Sequence, residues 1–245
     1  RGLTPGLPPW LPDEDRIVGG QPTTIEKYPY QAKIFVDFID GYCSGTIISE
    51  RRVLTAAHCV WSRDISNLHI VVGSSSAERS AQVLKVSAIH EHPSYDHRTF
   101  DNDIAILELS SPISFGRGAQ PIATAAPGSE LPAGTLATIT GWGALKSGSS
   151  SRNQLYAGLV KIVSISDCRR AYPTHAITDN MFCAVGEGVG GCQVDSGGAL
   201  LVNGVAYGIY SWGYGCDHPD YHGVYTKLSK YHSFISQFIW KGIIS

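Results

Sequence analysis

Gly190-Gly191-Cys192-Gln193-Val194-Asp195-Ser196-Gly197-Gly198 is the stretch around which the chain is organised. Glycines on both sides of a serine permit a tight turn in which backbone N–H groups point inward and the hydroxyl stands exposed. A serine hydroxyl becomes a useful nucleophile only when a base takes its proton and donors await the oxyanion that forms. Asp-Ser-Gly-Gly is also an ordinary turn composition, so the rest of the chain decides what the stretch is.

Outward from it, short β-rich runs alternate with turn signals. They cover 31–38, 45–48, 53–56, 68–73, 82–90 and 103–109 in the first half, and 136–141, 154–163, 181–184, 199–202, 205–212 and 223–227 in the second. Short strands at this spacing predict antiparallel barrels or sandwiches. A Pro-, Gly-, Ala- and Ser-rich connection at 112–132 divides them into two all-β lobes, about 17–125 and 126–230. Tyr231, Phe234, Ile235, Phe238 and Ile239 recur at helical spacing, so an amphipathic C-terminal helix is expected to pack on the body.

The bulk numbers narrow the function classes. A chain of 245 residues with 43% hydrophobic and 16% charged residues reads as a folded globular protein. A net charge of −2 with no basic stripe gives no field for a nucleic acid backbone. No apolar run approaches the roughly 20 residues that cross a bilayer, so neither nucleic acid nor membrane is an expected partner. Six cysteines without CxxC spacing suit disulfides better than zinc, and a secreted, extracellular protein whose signal has been removed is expected. Residues 1–16 hold four prolines and an acidic run before Arg16, a composition that cannot build a core, and Ile17-Val18-Gly19-Gly20 follows at once. A basic residue on an exposed leader can serve as a proteolytic nicking point, although composition alone favours a plain N-terminal tail.

Two further stretches supply partners for the serine. Leu54-Thr55-Ala56-Ala57-His58-Cys59 puts a histidine at the end of an apolar run, and Asp103 stands at the mouth of the strongly apolar Ile104-Ala105-Ile106-Leu107. An unpaired carboxylate there would be costly to bury, and an imidazole N–H is a good partner. Ser196, His58 and Asp103 thus offer nucleophile, base and orienting acid, although spacing alone does not bring them together.

Taken in order, Ile17-Val18-Gly19-Gly20, Thr55-Ala56-Ala57-His58-Cys59, Asp103-Ile104-Ala105-Ile106-Leu107, Gly141-Trp142-Gly143, Asp195-Ser196-Gly197-Gly198, Ser211-Trp212-Gly213 and Gly223-Val224-Tyr225-Thr226 resemble the chymotrypsin and trypsin family of serine endopeptidases over 17–245. His92-Pro93-Ser94-Tyr95 and Ile177-Thr178-Asp179-Asn180-Met181 look like insect members. The resemblance implies two six-stranded antiparallel β-barrels with a C-terminal helix and a cleft between the barrels, His58 and Asp103 coming from the first and Ser196 from the second. It implies that His58 acts as general base and then acid, that Asp103 fixes its tautomer, and that Ser196 forms the acyl-enzyme. Ser211 would hydrogen-bond near Asp103. The cysteines would pair as Cys43–Cys59, Cys168–Cys183 and Cys192–Cys216.

The same resemblance makes 1–16 an activation propeptide and the chain a zymogen. Cutting Arg16–Ile17 would free an α-amine that pairs with Asp195 and orders the pocket. The pocket positions would be Gly190, Gly191, Gln193, Ser211, Trp212, Gly213 and Gly223, with Phe100 narrowing the neighbouring subsite. Gly190 stands where trypsins carry an aspartate at the pocket base, so a chymotrypsin-like or broad apolar preference is expected, although Glu187, Asp217 or Asp220 could supply an acid. A neutral base also implies activation by a separate trypsin-like protease. Other expected partners are protein or peptide substrates and protein protease inhibitors, with the chain a monomer.

Three departures stand out. Val194 replaces the family's glycine at an oxyanion-hole position, whose N–H would act with that of Ser196; its β-branched side chain restricts the backbone and crowds the approach. This opens a second reading, a catalytically impaired homologue serving as a binding or regulatory protein. Ser44 and Ala199 replace a glycine and a proline, and neither is expected to touch the triad. The stretch 74–80, where relatives often bind calcium, offers only Glu78, so no metal and no cofactor are expected.

Overall fold

The computed structural model describes residues 20–36, 42–75, 81–142, 154–186, 195–213 and 222–239. Arg16, Ile17, Glu78, Glu187, Gly190, Gly191, Cys192, Gln193, Val194, Cys216, Asp217 and Asp220 lie outside the described residues.

Six strands close the first barrel: β2 (Gln31–Val36), β3 (Tyr42–Ser49), β4 (Arg52–Thr55), β5 (Leu68–Val72), β6 (Gln82–Glu91) and β7 (Ala105–Leu109). They run in the order β2-β3-β4-β7-β6-β5 and return to β2. In the second half β8 (Leu136–Gly141), β9 (Tyr156–Ile162), β10 (Met181–Val185), β11 (Ala199–Val202), β12 (Val205–Trp212) and β13 (Gly223–Lys227) follow the order β9-β10-β13-β12-β11-β8. The pairing of β8 with β9 closes this ring too, and all of these pairings are antiparallel. Closure leaves neither barrel a free sheet edge. The two-barrel, all-β architecture expected from the sequence is therefore present.

The strands follow from side-chain alternation where one face meets water. In β6, Leu84 and Val86 point into the barrel while Val83, 65% exposed, and Lys85 point out. Strands β4 and β7 are covered on both sides, which is why Val53, Leu54, Ile106 and Leu107 run together without polar interruption. Strand β3 starts earlier than the apolar run at 45–48, because its first residues pair across to Phe35 and Ile34.

Segments from one half of the chain are tied to the other. The two-residue strand β1 (Gln21–Pro22) pairs with β9 of the second barrel. The C-terminal helix, His232–Ile239, buries Phe234 and Ile235 in the cluster that contains Leu54, Val60 and Leu107 of the first barrel. Its Phe238 ring stacks on His90 of β6, centroids 4.4 Å apart.

Two short helices were not anticipated. The first, α1 (Ala57–Val60), is one turn after β4. The second, α2 (Ile165–Ala171), begins at Ser164, whose Oγ accepts from the Asp167 N–H at 3.1 Å. Helix α2 carries Cys168, bonded to Cys183 of β10, and Cys43 of β3 is bonded to Cys59 of α1. With the C-terminal helix as α3, these are the α-helices among the described residues.

Removing the Phe234 ring should undock α3. Phe234→Ala is expected to cost about 3 kcal/mol and to lower Tm by roughly 6–12 °C, read by thermal unfolding; an unchanged Tm would show that α3 adds nothing to the first barrel's core.

Candidate active site

The site starts from a carboxylate that the fold has sealed away from water. Asp103 is 0% exposed, just before β7. Burying an unpaired charge is strongly unfavourable, and donors converge on it. The His58 backbone N–H donates to Oδ1 at 2.8 Å, and His58 Nδ1 lies 2.7 Å from Oδ2. The Ser211 hydroxyl donates to Oδ2 at 2.5 Å, and Thr226 Oγ1 donates to the Asp103 carbonyl at 2.8 Å. Ser211 lies on β12 and Thr226 on β13, so the second barrel supplies half of the acid's shell.

His58 sits in α1, whose single turn swings the imidazole back over Asp103. Commitment of Nδ1–H to the carboxylate leaves Nε2 as the basic nitrogen. The His58 side chain keeps 21% of its exposure, enough for a reacting group to reach it. Phe100 meets the imidazole edge to face, centroids 5.7 Å apart, and holds φ of +56°. The loop before Asp103 is also held from the second half of the chain: Asp101 accepts from Thr178 Oγ1 at 2.7 Å and Asn180 Nδ2 at 3.0 Å.

Ser196 is drawn to the same corner by strand β3. Its carbonyl accepts from the Ser44 N–H at 2.8 Å, and the neighbouring Cys43 is bonded to Cys59, next to His58. Gly197 fixes the turn with φ of +83°. A Cβ there would fall 2.2 Å from Thr55 Oγ1 and 2.3 Å from the Ser44 carbonyl oxygen, so only glycine lets the serine turn lie this close to the His58 segment.

Asp195 is a second buried acid, 9% exposed, whose Oδ2 accepts from the Trp142 N–H at 2.8 Å and from Ser44 Oγ at 3.1 Å. Burial pushes its carboxyl up from 3.8 to about 6, against the lowering effect of these bonds, of Tyr42 and of the Lys33 charge. Lys33 is itself buried, 2% exposed, its Nζ 4.1 Å from the Tyr42 ring centroid and 5.0 Å from that of Trp142. Ser44 thus corrects one expectation: it contacts the Ser196 backbone and the adjacent acid. The sequence reading missed this because a serine in an apolar strand carries no signal of what its hydroxyl meets.

Of the expected pocket positions, Ser211 and Gly223 are buried and Trp212 and Gly213 partly so. Trp212 packs edge to face on Tyr172, centroids 4.8 Å apart, whose hydroxyl donates to the His222 carbonyl. Cys43, His58 and Cys59 lie close enough to suggest a metal set, but both sulfurs are consumed by their mutual disulfide and cannot act as thiolate ligands. Among the described residues, no helix is long and apolar enough to cross a membrane.

A family model described as Trypsin matches residues 17–235. A trypsin of Phaedon cochleariae is 39% identical over 226 residues, covering 90% of this chain and 87% of that protein. A vitellin-degrading protease of Bombyx mori is 38% identical over 240 residues, 96% of this chain and 90% of the other. Trypsin delta of Drosophila erecta is 40% identical over 233 residues, 94% and 90%.

Two outcomes follow from this geometry. Gly197→Ala should lower peptidase activity by about 10²-fold, because it must displace the serine turn; kinetics indistinguishable from the parent would contradict the packing. Asp195 holds its proton more tightly folded than unfolded, about 6 against about 3.9. Its contribution to stability is therefore full below about pH 4 and lost as pH rises through about 6. Urea melts of the full chain across that window should show a larger loss in the parent than in Asp195→Asn; parallel curves would contradict it.

Proposed function

The chain belongs to the trypsin family of serine endopeptidases, and from that premise we propose that it is a secreted zymogen, activated by cleavage at Arg16–Ile17, that hydrolyses protein substrates through an acyl-enzyme. The observation that carries this is the 2.7 Å contact of His58 Nδ1 with a fully buried Asp103, itself held by Ser211. Such an arrangement fixes one tautomer of the imidazole and favours its protonated form as charge develops.

In the proposed reaction Ser196 Oγ attacks the substrate carbonyl and its proton passes to His58 Nε2. A tetrahedral oxyanion forms, accepting from the Ser196 and Val194 N–H groups. Its collapse breaks the C–N bond, and His58 returns the proton to the leaving amine. Water, deprotonated by His58, then attacks the acyl ester, and as the ester C–O bond breaks His58 returns that proton to Ser196 Oγ, releasing the acid and the free enzyme. Asp103 stays ionised throughout.

Activation would place the new Ile17 ammonium against Asp195, beside the nucleophile. That pairing needs an ionised acid and a protonated amine, and it would itself draw the Asp195 carboxyl below the value of about 6 that burial gives it without the ammonium, while failing as pH rises through the amine's own pKa. Gly190 gives the pocket no carboxylate in its expected base, so the residue before the cleaved bond is apolar. Arg16 is then cut by a different, trypsin-like protease. The second reading, an impaired homologue that binds or regulates, rests on Val194. A peptide turned away there loses one oxyanion donor, worth about 10²–10³ in rate.

The chain is nicked with trypsin, the trypsin is inactivated, and peptides with Ala, Leu, Phe or Arg before the bond are assayed. Turnover should appear only after nicking, vanish in Ser196→Ala, and rise in Val194→Gly by much less than the roughly 10²–10³ that regaining a lost oxyanion donor would give. Turnover indifferent to nicking or to Ser196→Ala contradicts the proposal, and turnover confined to Val194→Gly supports the second reading.

A further inference from the structure

Tyr210 was not among the residues singled out by the sequence, yet it is fixed next to the serine turn. Its N–H donates to the Gly198 carbonyl at 2.8 Å, and its carbonyl accepts from the Gly197 N–H at 2.9 Å. These bonds tie the Tyr210 backbone to the two residues after Ser196. The next residue, Ser211, sends its hydroxyl to Asp103. The pairing of β12 with β13 shifts register between Tyr210 and Trp212, and the Tyr210 ring lies toward Gly213 and Gly223.

There the ring meets both glycines. A Cβ added to Gly213 would lie 3.0 Å from the Tyr210 hydroxyl oxygen, and one added to Gly223 would lie 3.0 Å from Tyr210 Cε2 and 3.1 Å from Tyr225 Cε2. These separations are tighter than ordinary contacts, so a methyl group at either position would press directly on the tyrosine ring or its hydroxyl. Tyr210 is braced from behind by Tyr225, centroids 5.4 Å apart at 80°, and Tyr225 is stacked on Phe182 at 5.4 Å and 15°. Glycines at 213 and 223 would otherwise leave an opening for a substrate side chain.

We propose that the Tyr210 ring fills the primary specificity pocket between Gly213 and Gly223, and that the chain accepts only small apolar residues, alanine or valine, before the scissile bond. This rests on the reading of Gly213 and Gly223 as pocket walls, which comes with the proposed endopeptidase function. It narrows the apolar preference argued from Gly190 by adding a steric limit that Gly190 does not impose. The ring is the agent, and the hydroxyl contributes little to the exclusion.

The test compares the nicked parent with Tyr210→Val, Tyr210→Leu and Tyr210→Phe, using peptides that differ only by Ala or Phe before the cleaved bond. The parent should favour Ala over Phe in kcat/KM by at least about tenfold. Tyr210→Val and Tyr210→Leu should shift that ratio toward Phe by about 10²-fold, and Tyr210→Phe should keep the parent's ranking. Calorimetric titration with indole gives a readout that needs no turnover: the opened variants should bind it and the parent should not. A parent that prefers Phe, or that binds indole as well as the opened variants do, overturns the proposal. Indole binding confined to the opened variants, with no turnover by any protein, would uphold the pocket assignment and refute the endopeptidase reading instead.

Discussion

A carboxylate with no exposure to water persists in a fold only if donors surround it, and Asp103 recruits those donors from places far apart in the sequence. The ring and backbone of His58 come from the turn after β4, and the Ser211 hydroxyl comes from β12 in the second barrel. Satisfying one buried acid therefore sets the position of an imidazole and the seating of one barrel against the other. Any slip between the barrels would strand part of that charge, so the requirement for function and the requirement for stability coincide at this residue.

Asp195 repeats the pattern on the other side of the serine with a different result. Its partners are a backbone N–H from Trp142 and a hydroxyl from Ser44, and burial outweighs them, so its carboxyl is raised to about 6. Around it lies a polar layer between the barrels: Gln31 Nε2 donates to Ser44 Oγ at 3.1 Å, Thr140 Oγ1 donates to Gln31 Oε1 at 2.9 Å, and the Tyr30 hydroxyl is 2.9 Å from Thr140 Oγ1. A connected layer of this kind fixes geometry more sharply than apolar packing does. It explains how a serine is accommodated at 44, where the resemblance leads one to expect glycine.

Much of this was legible in the residues. Alternation such as that of Leu84 and Val86 marks a strand by itself, and Phe234 and Ile235 mark the last helix. Asp103 at the mouth of an apolar run announced that it would need a partner. Other features were hidden for physical reasons. Helix α2 is too short to show a period, and its start is signalled only by Ser164 and Asp167. The acceptor of Ser44 Oγ and the direction of the Tyr210 ring are tertiary facts, set by residues 151 and 13 to 15 positions away. A glycine pair such as Gly213 and Gly223 reads as open space in a sequence, whereas the structure shows what has moved into it.

The claim beneath the rest is that the buried Asp103 carboxylate holds the Nδ1 proton of His58. Nitrogen-15 histidine labelling with proton NMR observes that proton directly. The account requires a strongly downfield Nδ1–H resonance coupled to the His58 ring nitrogen, lost or moved far upfield in Asp103→Asn. No such resonance in the folded protein, or one indifferent to Asp103→Asn, would contradict it.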